Sequence, residues 1–184
     1  MERFILSGTC FYELNGLRYL LQEAGYPVFD EVAVKTFGPD DVFVLALSAE
    51  PLLGWGRHVR YIRHCRRRLP CRMVVLVPPS LGTLRVFDGT CPVISGHLPR
   101  AELISQLLTL CRDALALPRE PQSPFRLLNV KQGGSRRQLL QQYRENTPLR
   151  RMAKSDYYHR GRLLDVLGIE KMQTLSIVGQ ELLS

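Results

Sequence analysis

The chain has 184 residues, 45% of them hydrophobic and 23% charged, a globular composition that fits one large domain or two small ones and excludes an intrinsically disordered chain. No apolar run reaches the roughly 20 residues of a membrane span. The opening Met1-Glu2-Arg3-Phe4-Ile5-Leu6-Ser7-Gly8 lacks the charged lead and long apolar core of a signal peptide, so a cytoplasmic protein with no membrane partner is expected. Of the formal net charge of +8, residues 1–118 hold 13 Lys and Arg against 11 Asp and Glu, and residues 119–184 hold 12 against 6. The excess is therefore concentrated in the last third, which points to an anionic partner, most often nucleic acid.

In chain order, Phe4-Ile5-Leu6 reads as a short buried strand. Phe11–Ala24 reads as a helix with Leu14, Leu17, Leu20 and Leu21 on one stripe, stopped by Gly25. Val28–Val34 is a second strand, and the continuous apolar run Val42–Leu47 a third, of the kind buried on both faces. Residues 55–68 form a basic amphipathic helix with Val59, Ile62, Cys65 and Leu69 inward. Met73–Val77 is another buried strand, Cys91–Ile94 a weaker one, and Ala101–Leu115 closes the series as an amphipathic helix. Strands alternating with helices predict an α/β domain over residues 1–116, a doubly wound parallel sheet of about five strands. Such sheets place their sites at the carboxyl ends of the strands. In 117–124 three prolines break any helix or central strand, which marks an interdomain linker.

Chemistry-bearing residues in the first domain are sparse. Cys10, Cys65, Cys71, Cys91 and Cys111 lack zinc-ligand spacing, and His58, His64, His97 and His159 form no His-x-x-x-His pair, so buried thiols are expected and neither a metal nor a cofactor is. Nucleotide-binding glycine motifs and a Gly-x-Ser-x-Gly elbow are absent, and Cys10 has no base near it in sequence, so the chain does not read as an enzyme. Arg57, Arg60, Arg63, Arg66, Arg67, Arg68 and Arg72 crowd the basic helix. They read first as a solvated face whose stems cover the sheet, and otherwise as a surface for an acidic or phosphate-bearing partner.

Five strands in about 115 residues, in this element order, resemble the receiver domain of bacterial response regulators. That resemblance implies an acidic pair after the first strand, a nucleophilic aspartate ending the third, a Ser or Thr after the fourth and a Lys after the fifth, because phosphoryl group and Mg²⁺ must be charge-balanced in one cleft. The chain departs from it. Ser7-Gly8-Thr9-Cys10 follows the first strand, Ala46 stands at the nucleophile's position, Asp40 and Asp41 lie at the wrong end, Ser80 is the candidate hydroxyl, and Ser95-Gly96-His97 offers no lysine. A pseudo-receiver that is not phosphorylated in the usual way is expected.

After the linker, Ser135-Arg136-Arg137-Gln138 has the capping-box pattern and opens a helix with Leu139, Leu140 and Tyr143 inward. Thr147-Pro148 caps a second helical pattern, which runs to Leu167 and stops at Gly168. Ile169 leads into a last helix with Met172, Leu175, Val178 and Leu182. Two helices joined by a tight turn, the second rich in base-capable side chains, read as an all-α helix-turn-helix domain over residues 125–184. From Lys131 to Arg162 nine Lys and Arg face two acidic residues.

His159, Leu163 and Leu167-Gly168-Ile169 keep the spacing of the recognition helix of the LuxR/NarL-type helix-turn-helix, which this end resembles. The resemblance implies double-stranded DNA as partner. It puts Tyr157, Tyr158 and Gly161 at groove-facing positions beside Ser155, with Lys154, Arg160 and Arg162 near phosphates, and the leucine-rich second half against the domain core. If the segment from Pro148 is instead one long helix, Arg150, Arg151 and Lys154 enter the groove. The family's Leu-Thr-x-x-Glu opening is absent, and Asp156 stands where Val is usual.

A diverged LuxR-type end behind a pseudo-receiver resembles the Rcs-type auxiliary regulators. The resemblance implies a homodimer, or a heterodimer with a response regulator, on two-fold related sites. The expectation is a transcriptional regulator independent of its own phosphorylation. The alternative is an adaptor that modulates another transcription factor without binding DNA itself.

Overall fold

The computed structural model describes residues 2–83 and 91–113, together with Gly161, Leu164, Ile169, Lys171, Gln173 and Thr174. Five strands, β1 (Phe4–Gly8), β2 (Val28–Asp30), β3 (Val42–Ala46), β4 (Arg72–Val77) and β5 (Val93–Ser95), form one sheet in the order β2-β1-β3-β4-β5. Every pairing is parallel. Helices α1 (Phe11–Glu23), α2 (Arg57–Arg68) and α3 (Arg100–Asp113) lie between and after the strands. The α/β, receiver-like architecture read from the alternating pattern is the one observed. No described helix is long and apolar enough to cross a membrane.

Side-chain alternation along the strands divides the core in two. Phe4 and Leu6 of β1, Val42, Val44 and Ala46 of β3, and Val74 and Leu76 of β4 meet Leu17 and Leu21 of α1 and Leu103 and Leu107 of α3. Ile5, Phe43, Leu45, Met73, Val75 and Val77 point the other way and meet Val59, Ile62 and Cys65 of α2. Successive Cβ atoms on a strand point to opposite faces, so a strand covered on both faces must be apolar at every position. All five residues of β3 and all six of β4 are buried, and all but Arg72, which opens β4, are apolar.

The α2-side cluster also contains Ile169, with Leu164 packed against it. Ile169 N–H donates to Leu164 C=O at 3.0 Å. Leu164 is helical and Ile169 is not; Gly168, where the sequence pattern stops the helix, lies outside the described residues. Leu164 and Ile169 thus join the core of the α/β domain, where the sequence pattern had the leucine-rich half of this segment facing a core of its own.

β2 is shorter than its sequence suggests. It ends at Asp30, and Glu31–Ala33 forms a single 3-10 turn with Val32 fully in solvent. As the edge strand it pairs only Val28, Phe29 and Asp30 with β1, so nothing holds the rest extended.

Ion pairs hold the amino edge. Asp41, almost fully buried, accepts from Arg3 Nε and Nη2, both at 2.7 Å, and from the Gly38 N–H at 2.7 Å. Arg72 opens β4 rather than extending the α2 cluster, and is buried with Glu2 at 2.7 Å and the Asp40 carbonyl at 3.1 Å. The Arg3 hydrogen bond, opposed by burial, holds the Asp41 carboxyl below its ordinary value. A depressed carboxyl stabilises the fold above the ordinary carboxylate range, and that contribution is lost as pH falls through the lowered value. Asp41→Asn is expected to cost about 1.5–3 kcal/mol at neutral pH and to flatten the acid-side loss of stability. Urea midpoints from neutral pH down to about pH 3 measure both effects, and parallel acid profiles for the two proteins would refute the assignment.

Candidate functional site

The strand order reverses direction between β1 and β3, so the crevice beyond their carboxyl ends is where an open α/β sheet places its site. Gly8 ends β1 opposite Ala46, which ends β3 as expected. A Cβ on Gly8 would stand 2.5 Å from the Ala46 carbonyl oxygen, so the two strand ends approach as only glycine permits. Beyond β5, a Cβ on Gly96 would overlap the Ser48 side chain. The crevice is therefore tightly closed around the loop after β3.

Two carboxylates that the sequence reading did not single out converge on that loop. Glu13 sits in the first turn of α1. Its Oε1 accepts from the Ser48 N–H at 3.1 Å and the Ser48 hydroxyl at 2.6 Å, and its Oε2 accepts from the Ala49 N–H at 3.2 Å. Glu50, itself largely buried, accepts from the Thr9 hydroxyl and from Arg57 Nη2 at 3.2 Å, and lies 3.5 Å from His58 Nε2. The Thr9 hydrogen bond leads the groups that hold Glu50 below the usual carboxylate range, with burial opposing and His58 and Arg57 assisting.

Trp55 braces the same loop from beneath. It is fully buried, donates from Nε1 to the Leu47 carbonyl at 3.4 Å, and sets its ring 5.8 Å from that of His58. Ser80, the candidate hydroxyl after β4, is exposed in a one-turn 3-10 helix, and His97 is exposed after β5. Cys10 caps α1 half-exposed, with no side-chain cap bond. Cys71 and Cys91 are buried, and burial pushes their thiols up to about 11 and about 12.

Chemically, this edge is an internally satisfied network. Phosphoryl transfer to a receiver requires a carboxylate at the end of the third strand and an acidic pair free to hold a divalent ion. Here a methyl group stands at the first position, Glu13 is engaged by Ser48 and Ala49, and Glu50 by Thr9 and Arg57. Among the described residues, no group of three or more His, Cys, Asp or Glu is placed to hold a metal ion.

Arg150, Arg151, Lys154, Ser155, Tyr157, Tyr158, Arg160 and Arg162 lie outside the described residues. Within that segment, Gly161 is helical and exposed with open space at its Cβ position, while Leu164, one turn on, is half-buried on the α2-side core. Comparison with protein-family models, with curated proteins and with solved structures gives no match.

Proposed function

We propose that this protein is a non-enzymatic, DNA-binding transcriptional regulator that works without phosphorylation of its own receiver-like domain. The observation that carries the first half of the reading is the carboxyl edge, where Ala46 and the engaged Glu13 take the places of a phosphorylation site. The second half rests on charge and pattern. Nine Lys and Arg against two acidic residues between Lys131 and Arg162 suit a phosphate backbone, and the LuxR/NarL-like spacing from His159 to Ile169 suits a recognition helix. A helix-turn-helix over residues 125–184 would present Arg150, Arg151, Lys154, Ser155, Tyr157, Tyr158, Arg160 and Arg162 to DNA. The exposed Gly161 and the inward Leu164 support that orientation. Two-fold related target sites would call for a homodimer or a pairing with a response regulator.

A second reading, an adaptor that acts through another transcription factor, is favoured by the outer side of α1. Phe11, Tyr12 and Tyr19 expose 69%, 84% and 75% of their surfaces there, which suits a protein partner.

Fluorescence anisotropy of the full chain on duplex DNA across a salt series separates the two readings. Affinity should fall steeply with salt, and Arg150→Ala, Arg151→Ala and Lys154→Ala together should lower the log–log slope by about 2–3. Flat or absent binding by the wild-type chain would leave the adaptor.

A further inference from the structure

The outer face of α1 does not have the composition of a solvated helix face. An amphipathic helix packed on a sheet turns charged and polar residues to water. In α1 the exposed residues are Phe11, Tyr12, Gly16, Tyr19, Gln22 and Glu23. Three are aromatic, one is a glycine, and the single charge, on Glu23, is paired with Arg100. The inward side is complete without them, with Leu17 and Leu21 buried and Leu14 and Leu20 packed against the same core. The three rings, 69%, 84% and 75% exposed, therefore add little to the core.

Tyr12, Gly16, Tyr19 and Glu23 follow one another at spacings of four, three and four, so they line one stripe of the helix. Phe11 joins the stripe by setting its ring edge-on to that of Tyr12, with 5.9 Å between centroids. Gly16 lies between the two tyrosines. Glycine inside a helix is less favourable than alanine, and a Cβ at this position would meet no atom of the described residues within 4 Å. Nothing in the described fold excludes a side chain there. The approach of a second helix does, because the side chains at a helix crossing set how close the two axes come.

The spacing identifies the occupant. Tyr12 and Tyr19 stand about 10 Å apart along the axis with Gly16 near the midpoint, so the stripe reads nearly alike from either end. A two-fold interface demands that property, because each contact of residue i with residue j is repeated as j with i. Two α1 helices laid antiparallel and crossing at Gly16 bring Tyr12 of each copy to Tyr19 of the other, and keep the two Glu23 carboxylates at opposite ends. The area is of the right order. An aromatic side chain buries about 150–250 Å², so the exposed parts of the three rings offer about 450 Å² per copy and about 900 Å² for the pair. With the helix surface around Gly16 and Gln22 this reaches the lower end of specific interfaces, about 1,200 Å².

We infer that the outer face of α1 is a homodimer interface, in which a second copy of this chain packs its own α1 antiparallel about a two-fold axis near Gly16. The inference goes beyond the DNA-binding reading and does not depend on it. An interface of this size gives a dissociation constant of about 1–100 µM.

The test is sedimentation velocity of the full chain without DNA, from about 1 to 300 µM, a range set by that affinity. The wild type should pass from monomer to dimer. Tyr12→Ser with Tyr19→Ser should raise the dissociation constant at least about tenfold. Gly16→Gln should do the same while its thermal midpoint, taken where the chain is monomeric, stays level or rises, since a helix former replaces glycine. That combination separates a blocked interface from a damaged fold. Leu53→Ser, which changes an equally exposed apolar residue in the loop before α2, should associate within about twofold of wild type. A dimer that survives the tyrosine and glycine variants would overturn the assignment to α1. A wild type that stays monomeric throughout would overturn the inference and leave this face to a different protein chain. Duplex binding is read in its own titration, so either failure is distinct from failure of the DNA-binding reading.

Discussion

Trp55→Ala is expected to lower the free energy of unfolding by about 3–5 kcal/mol, a large part of what a domain of this size possesses. The ring is fully buried in the α2-side cluster, among residues from β1, β3, β4 and α2. Its indole N–H is bonded to the Leu47 carbonyl, the last residue before the Ser48–Glu50 loop. Truncation therefore opens a cavity and leaves that carbonyl with the Glu50 N–H alone as its donor. Gly54, at φ 75°, makes the turn that delivers Trp55, and the following helix start carries Arg57 and His58 to Glu50. Loss of the ring should loosen the carboxyl edge as well as the core. Trp55→Phe, which retains most of the apolar area, should cost no more than about 1.5 kcal/mol. Urea unfolding followed by far-UV circular dichroism gives both numbers. A Trp55→Ala cost near or below about 1 kcal/mol would mean that the site collapses around the gap and that the ring is not a keystone of the cluster.

Legibility in the sequence followed the range of the interactions involved. α1 was readable to within a residue because its stripe is local and Gly25 ends it in a left-handed turn at φ 84°. There Tyr26 N–H reaches Leu21 C=O and Gly25 N–H reaches Gln22 C=O, a complete Schellman motif. β3 and the Met73–Val77 part of β4 were readable because burial on both faces demands apolar runs. β2 was overread, since its later residues have β-propensity but no strand to pair with. Arg72 was counted with the helical arginines, although it belongs to a strand and an ion pair with Glu2, some seventy positions away. Glu13 was missed for the same reason. A glutamate in the first turn of a helix reads as a dipole partner, and its bonds to Ser48 and Ala49 exist only once β1 and β3 lie side by side. The Lys131–Arg162 charge excess was plain, but the leucines behind it identified only an apolar face and not the surface that face meets.

That last distinction is open to measurement. Ile169→Ala is expected to destabilise the α/β domain by about 2–5 kcal/mol, because Ile169 is 3% exposed within the cluster that holds Trp55. Trp55 is the single tryptophan, so its emission during urea unfolding reports on that cluster directly. Were residues 125–184 a body folded on its own, removing three side-chain carbons at Ile169 would leave the Trp55 transition where it was. A shifted midpoint with an unchanged slope would place the C-terminal segment inside the same cooperative unit. The consequence reaches DNA binding as proposed above. Ile169→Ala removes no charge, so the salt slope should hold, while affinity should fall if the proposed DNA-binding segment depends on Ile169 for its anchorage. A loss of slope instead would mean that Ile169 is needed to bring those charges to the backbone at all, and an unchanged affinity would mean that DNA binding does not depend on the Ile169 contact.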